Sequence, residues 1–383
     1  MIYLDNGATS FPKPPGVSEA VARALANPAS PGRSGHKPAL EASRIVFRAR
    51  KKLAGILGKA DPERMVFTPN ITWALNAAIK GIPLEKGAEV ISTALEHNST
   101  ARPLRELEKA GAIVWKKIHP RENGLIEAAD LLPLLSPRTK LLVLNHASNV
   151  TGALTPVEKM RRLCPDVPLI LDAAQTAGAY PLEDFARHAD VVCLTGHKGL
   201  LGPTGTGGLW IRPGVDVRPL AVGGSGSNSE SLEHPDFLPD ALEAGTLNTH
   251  GLAGLAAALD YLEERGIENI RRHELDLAGV LLGEAEGISG LRILGPSGNL
   301  ENRVATVSVT LEGYSSSDLS SALESGYGIM TRAGLHCAPL AHEASGTFPG
   351  GATRFSFGPF NTPEDALAAA AALRELSGKR RAV

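Results

Sequence analysis

Between residues 63 and 211 the chain repeatedly interrupts polar, amphipathic stretches with short, unbroken apolar runs of β-prone residues. They are Met65-Val66-Phe67-Thr68, Val90-Ile91-Ser92, Ile113-Val114-Trp115, Leu141-Leu142-Val143-Leu144, Leu169-Ile170-Leu171, Val191-Val192-Cys193-Leu194 and Leu209-Trp210-Ile211. Strands with one wet face alternate apolar and polar residues; unbroken runs belong to strands covered on both faces. The pattern therefore predicts an α/β fold with a large, doubly wound, mostly parallel sheet. In such sheets ligands gather at the carboxyl ends of the strands, so the polar residues just after each run carry most of the functional information.

Other features narrow the class. A length of 383 residues allows two or three domains of about 150 residues each. With 39 Lys and Arg against 41 Asp and Glu the net charge is −2, and no basic field attracts nucleic acid or an anionic membrane. No apolar run approaches the roughly 20 residues of a membrane span. The start, Met1-Ile2-Tyr3-Leu4-Asp5, lacks a secretion-signal layout, so a cytoplasmic location is expected. Three cysteines, Cys164, Cys193 and Cys337, form no CxxC pair, no HExxH occurs, and no metal site is expected.

Residues 222–240, opening Val222-Gly223-Gly224-Ser225-Gly226, read as a mobile loop, too polar and Gly-rich to pack as a helix. Leu252, Leu255, Ala256, Leu259 and Leu262 recur at helical spacing across 251–265, a helix expected to lead into a second unit. That unit reads as small and α+β, with strands over 303–310 and 353–357 and helices over 317–325 and 363–376.

Two strand ends stand out. Leu169-Ile170-Leu171 runs into Asp172-Ala173-Ala174-Gln175, and Val191-Val192-Cys193-Leu194 into Thr195-Gly196-His197-Lys198-Gly199. An Asp after a strand is often a helix cap, and a lone Lys usually a solvated charge. A Lys in an apolar strand-turn near an Asp is also what pyridoxal phosphate chemistry requires: an amine for a Schiff base, and a carboxylate to keep the pyridine nitrogen protonated. A phosphate cradle is available after Met65-Val66-Phe67-Thr68, where Asn70 can cap a helix whose free amides, with the Thr72 hydroxyl, would hold an anion; an ordinary N-cap is the plain alternative. The glycines of 202–208 contain no GxGxxG and precede a strand, which argues against a nicotinamide nucleotide.

Several ordered motifs carry a resemblance. The run Thr195-Gly196-His197-Lys198-Gly199-Leu200-Leu201-Gly202-Pro203-Thr204-Gly205 resembles the lysine motif of class V aminotransferase-fold enzymes, and of cysteine desulfurases in particular. So do Tyr3-Leu4-Asp5-Asn6-Gly7-Ala8-Thr9, Glu96-His97-Asn98, Asn145-His146-Ala147-Ser148-Asn149-Val150-Thr151-Gly152, Leu171-Asp172-Ala173-Ala174-Gln175, Glu243-Ala244-Gly245-Thr246, Arg332-Ala333-Gly334-Leu335-His336-Cys337-Ala338-Pro339 and Arg354-Phe355-Ser356. The resemblance implies the fold type I architecture of pyridoxal 5'-phosphate enzymes. Residues 16–250 would form the large cofactor-binding domain and 251–383 the small domain with Cys337 and Arg354, and residues 1–15 would pack with the latter.

It also implies roles. Lys198 would carry the cofactor, Asp172 would pair with the pyridine nitrogen, Gln175 and Asn149 would lie on the ring's oxygen side, and His97 would stack on the ring and shuttle a proton. Ile71, Thr72, Thr195 and His197 would form the phosphate cup, with Thr246 supplied across a homodimer. Arg354 would grip the substrate carboxylate, beside Asn149 and Ala8. Cys193 reads as inert core filler and Cys164 as an incidental loop residue, whereas Cys337, in a turn-like context, matches the catalytic cysteine of the short-loop, SufS-like branch. The implied reaction takes L-cysteine to L-alanine and leaves a persulfide on Cys337. An acceptor protein or thiol takes the sulfur onward, as in iron–sulfur cluster assembly. L-Selenocysteine lyase or C–S lyase chemistry on the same fold, and a cofactor-binding sulfur relay without turnover, are the alternatives. Arg33 and His36 belong either to the substrate entrance or to an exposed basic loop.

Overall fold

The computed structural model describes residues 1–27, 30–32, 34–58, 60–183 and 185–379; Arg33 lies outside them. The chain opens with β1 (Ile2–Tyr3), α1 (Val17–Leu25) and α2 (Lys37–Ile56). There follow β2 (Met65–Thr68), α3 (Ile71–Gly81), β3 (Ala88–Thr93), α4 (Asn98–Lys109), β4 (Ile113–Ile118), β5 (Thr139–Asn145), α5 (Val157–Leu163), β6 (Leu169–Asp172), α6 (Phe185–His188), β7 (Val191–Thr195) and β8 (Gly207–Ile211). The seven apolar runs lie in the seven strands of one sheet, ordered β2-β8-β7-β6-β5-β3-β4, in which β8 alone runs against the rest.

The unbroken runs are explained by two cores, one on each face. Successive side chains of a strand point to opposite sides. Thus Leu142, Leu144, Leu169, Leu171, Val192 and Leu194 join the core that includes Val46, Leu53, Leu255 and Leu259. Leu141, Val143, Ile170, Val191 and Cys193 point the other way, into the core with Ala74, Leu75 and Ala78 of α3. Truncating any of these buried leucines to alanine costs about 2–5 kcal/mol. At the sheet edge, β4 has Val114 41% exposed, because it has a neighbour on one side only.

Beyond β8, residues 212–248 contain no helix or strand, including the expected loop at 222–240. Next comes α7 (Thr249–Arg265), capped by Asn248 Oδ1, which accepts from Gly251 N at 3.0 Å. It packs on α1 and α2, and its leucines share the large sheet's core. Then come α8 (Ile267–Ala285), β9 (Leu291–Leu294), β10 (Thr306–Leu311), α9 (Ser316–Tyr327), β11 (Ile329–Met330), β12 (Arg332–Gly334), α10 (Pro339–Ala344), β13 (Ala352–Ser356) and α11 (Pro363–Gly378). An antiparallel sheet, β12-β13-β10-β9, buries Val307, Val309 and Phe355 in a separate core with Leu277, Leu281 and Leu373. β1 pairs with β11 and Asp5 bridges to Ser356, which joins the N-terminus to this region.

The strand expected from 303 begins at 306. Arg303 is fully buried, and its guanidinium donates to the carbonyls of Pro296 and Thr306, which pulls 303–305 out of the ladder. β9 and β12 were not expected: Leu291-Arg292-Ile293-Leu294 and Arg332-Ala333-Gly334 carry little β signal and are held by their neighbours' ladders. Among the described residues no helix is long and apolar enough to cross a membrane.

Candidate active site

Adjacent register puts the two candidate residues of the sheet side by side. Asp172 ends β6 opposite Asn145 of β5 and Cys193 of β7, and Thr195 ends β7 three residues before Lys198. The turn after β7 is tightly closed: Gly196 N donates to Thr206 O at 2.8 Å, Gly202 N to Gly196 O at 2.7 Å and Leu201 N to Lys198 O at 2.8 Å. A β-carbon on Gly196 would run into the Thr206 side chain, and one on Gly199 would sit 2.5 Å from the Ala177 carbonyl oxygen. Glycine flanks the lysine because the backbones approach too closely for anything larger.

Lys198 is half-buried, and desolvation of its amine pushes it down to about 8, with Asp172 pulling the other way and Arg354 and Arg332 adding to the fall. Asp172 is buried; burial raises its carboxyl, while Ala174 N, donating to Oδ1 at 2.9 Å, and Lys198 oppose the rise. No helix starts at Asp172, so it is not a helix cap; its Oδ1 closes a local turn at Ala174 while its charge couples to Lys198. Beside them Glu96 Oε1 accepts from Thr93 N, Thr93 Oγ1 and Asn145 N at 3.3, 2.7 and 3.0 Å, Oε2 has no partner, and burial pushes this carboxyl up to about 8.

His97 caps α4. Its Nδ1 accepts from Ser99 N at 3.0 Å and lies 2.9 Å from Ser99 Oγ, which meets Thr72 Oγ1 at 2.8 Å. With Nδ1 accepting, the proton sits on Nε2. Burial, then the charges of Lys198, Arg332 and Arg354, push the ring down to about 3, so it is neutral. Ile71 is the first residue of α3, and Asn70 caps that helix through Trp73 N at 3.2 Å.

The N-terminal turn is strapped across this edge. Gln175 Nε2 donates to Gly7 O at 3.1 Å, Gly7 N to Ser356 Oγ at 2.8 Å, and Ala8 N to Asp5 O at 3.0 Å. Ser10 N and Thr9 Oγ1 donate to the His197 carbonyl at 2.9 and 3.1 Å. Arg354, on β13, is buried; it donates to Asp5 Oδ1 at 2.8 Å and to the Asn149 carbonyl at 3.2 Å, and its Nε has no partner.

Cys337 is exposed, with φ of +55° after His336 at +51°. Its carbonyl accepts from Asn98 N at 2.7 Å, and Asn149 Nδ2 donates to the His336 carbonyl at 2.8 Å, so the turn is tied to the strand-end residues. Cys193 is core, as expected, and burial drives its thiol well up. Cys164 is not a free loop residue: it closes α5, buried, with Sγ on the Met160 carbonyl at 3.4 Å.

One cluster thus gathers Lys198, Asp172, His97, Asn149, Gln175, Arg354 and Cys337 from across the chain. Thr246 stands apart, exposed, lining a hollow of about 330 Å³ with Thr68, Trp73, Thr206 and Leu220. His36 is exposed and caps α2 by accepting from Ala39 N at 3.3 Å. Sequence reasoning missed Arg332, whose charge reaches Lys198, His97 and Arg354, and Asp5, the ion-pair partner of Arg354. It also missed Ser99 between His97 and Thr72. Asp5 and Arg332 lie inside motifs already noted for the neighbours they flank, and only spatial proximity separates them from ordinary surface charges.

The residues suit pyridoxal phosphate. Thr195 Oγ1 and His197 Nδ1 are buried without a partner at the end of β7, donors that a phosphate would satisfy. Comparison with known proteins agrees. The sequence pattern of the aminotransferase class-V family matches residues 2–368. A probable cysteine desulfurase of Methanothermobacter thermautotrophicus is 31% identical, over 98% of this chain and 95% of its own length. Probable cysteine desulfurase 2 of Mycobacterium leprae is 32% identical over 95% of this chain and 89% of its own. Among solved structures, the apo cysteine desulfurase of Thermococcus onnurineus superposes with a TM-score of 0.91 at 30% identity, covering 99% of this chain and 95% of that one. The Escherichia coli cysteine desulfurase CsdA gives 0.87 at 27% identity, covering 98% and 94%. Matched by the family pattern over residues 2–368 and similar to these proteins over nearly its whole length, the chain belongs to the aminotransferase class-V family, among the cysteine desulfurases.

Proposed function

We propose that this chain is a pyridoxal 5'-phosphate-dependent cysteine desulfurase that converts L-cysteine to L-alanine and carries the sulfur as a persulfide on Cys337. The observation that carries the reading is that both buried Asp172 and the exposed Cys337 act on the half-buried Lys198 amine, with the cysteine turn held by Asn149 and Asn98. Lys198, Asp172, Gln175, Asn149, His97, Ile71, Thr72, Thr195 and His197 would hold the cofactor. Bound there, it supplies an electron sink next to the substrate Cα.

The rest is the work of this chain's side chains. Arg354 offers its guanidinium to the substrate carboxylate near Asn149 and Ala8, exchanging its contact with Asp5. The neutral amine of Lys198, available near pH 8, takes the Cα proton. His97, with its proton on Nε2, exchanges a proton with the substrate thiol. Cys337 Sγ, as thiolate, attacks the substrate sulfur; the S–S bond forms as the Cβ–S bond breaks, and the electron pair stays with the carbon skeleton. Protonation at Cβ and return of the Cα proton from Lys198 give L-alanine, so L-cysteine plus the thiol yields L-alanine plus the persulfide. Exposure of Cys337 lets an acceptor protein or a small thiol collect the sulfur. L-Selenocysteine fits the same contacts.

The short turn at Cys337 supports the SufS-like branch. We read the enzyme as a cytoplasmic homodimer in which Thr246, exposed beside Trp73 and Leu220, completes the partner's phosphate cup. Residues 16–250, together with α7, whose leucines lie in the core of the large sheet, would serve as the cofactor domain, and the rest of 251–383 as the domain carrying Cys337 and Arg354, with 1–15 attached to the latter.

The test is brief anaerobic incubation of the purified protein with L-cysteine and no reductant. Peptide mass and alanine are then measured together. One sulfur added at Cys337 with matching alanine is the expected result. Pyruvate and ammonia with unmodified Cys337 would assign a C–S lyase instead, and no product from a cofactor-loaded protein would leave only binding or relay.

A further inference from the structure

The turn that carries Cys337 is built around a chain of histidines that the reaction above does not use. His336 Nε2 lies 3.1 Å from the Arg332 carbonyl oxygen, which can only accept, so this nitrogen carries the proton. His336 Nδ1 is then a lone pair, and it accepts from His342 Nε2 at 3.2 Å. His342 in turn presents a lone pair at Nδ1, where the Thr347 hydroxyl donates at 2.7 Å. One terminal carbonyl therefore sets the tautomer of both rings. The ring planes differ by 24° and the centroids lie 5.4 Å apart, the separation of two imidazoles meeting end to end through their nitrogens. Burial keeps both neutral, pushing His336 to about 3 and His342 to about 4, so the pattern holds throughout the neutral range.

This chain stands where the backbone needs support. His336 and Cys337 both occupy the left-handed region, which residues with a β-carbon rarely enter. Asn149 and Asn98 hold the carbonyls of these two residues. The histidine chain holds a side chain of the turn, and it ties the residue before the thiol to α10 on one side and to β12 on the other.

We propose that His342 is a positioning residue for Cys337: by donating to His336 it keeps the turn left-handed and so aims Sγ at the substrate sulfur. The proposal rests on the reading of Cys337 as the sulfur acceptor. Its test compares full-length, cofactor-loaded wild type with His342→Ala and His342→Gln. A glutamine amide can place an N–H where the histidine Nε2–H lies, and alanine cannot. Two quantities are read: amide hydrogen exchange over residues 332–347, and single-turnover persulfide formation on Cys337 beside KM for L-cysteine.

In His342→Ala, exchange at 335–338 speeds up and persulfide formation slows, each about tenfold, while KM stays within about twofold. His342→Gln brings both within about threefold of wild type. Wild-type exchange and rate in His342→Ala, or a defect that glutamine does not relieve, overturns the proposal. Should His342→Ala not fold, His342→Asn, whose donor falls short of His336, takes its place against His342→Gln. A wild type that forms no persulfide would instead defeat the desulfurase reading, and exchange alone would then decide the role of His342.

Discussion

At the ends of β6 and β7 the site is held by a sheet. Asp172 and Thr195 are buried, Asp172 is paired with strands on both sides and Thr195 with β8 on one, and glycines let the Lys198 turn close onto Thr206 and Ala177. At residues 336–337 no ladder exists; two residues stand in left-handed backbone, one buried and one exposed, held by single hydrogen bonds from Asn98, Asn149 and a histidine pair. A group that must keep its surroundings dry gains from the first arrangement. A thiol that must meet a buried substrate and then an outside acceptor needs the second, since a sheet that excluded water would also exclude the acceptor.

The largest break in this contrast is Lys198→Ala, which removes the amine and is expected to lower alanine release by about 10³–10⁴-fold or more with the fold intact. Circular dichroism and alanine quantitation check it. Cys337→Ser separates the two regions next: cofactor binding persists, persulfide is lost, and alanine release falls by about 10²–10³-fold, read by peptide mass after one turnover. Cys193→Ser is its counterpart on the sheet side. A hydroxyl set beside Leu209 and Asp172 in a fully buried position costs roughly 1–3 kcal/mol of stability, read by chemical denaturation.

Two pH measurements sharpen the contrast. The apoprotein must present Lys198 as a neutral amine to capture pyridoxal phosphate. With the amine at about 8, the neutral fraction, and with it the capture rate, rises about tenfold from pH 7 to pH 9, measured by the growth of cofactor absorbance. Glu96 tests the sheet side alone. Its carboxyl is held up at about 8 in the fold against an ordinary 4.5, so the native state binds the extra proton between these values. The associated stability is complete below about pH 4.5 and is lost as pH rises through about 8. Glu96→Gln is expected to flatten the melting temperature over that window and leave it otherwise close to wild type.

Legibility followed the same division. All seven strands of the large sheet were readable because each carries a continuous apolar run, whose side chains enter two cores alternately in every strand but the edge strand β4, and Leu171-Asp172 and Leu194-Thr195 mark the points where those runs end. The small sheet was half readable. β10 and β13 carry apolar residues into a core, whereas β9 and β12 include Arg292, Arg332 and Gly334 and exist because their partners offer a ladder. In the site, Lys198, Asp172 and Cys337 announced themselves by position and by motif. Asp5 and Arg332 did not, since a charged residue near a chain start or inside a short polar strand looks like any solvated charge until the fold brings it beside Arg354 and Lys198.

Local composition and periodicity were thus enough to set the doubly wound sheet, its ligand-bearing edge and the lysine–aspartate pair, because burial on two faces leaves a signature within a few residues of chain. The pairing of Arg354 with Asp5, the carbonyl clamps on His336 and Cys337, and the His336–His342–Thr347 chain depend on contacts between residues up to 349 positions apart. Such contacts have no periodicity to read. They arise only when the antiparallel sheet and the N-terminal turn close over the strand ends, where directional hydrogen bonds between neighbours in space settle what each side chain does.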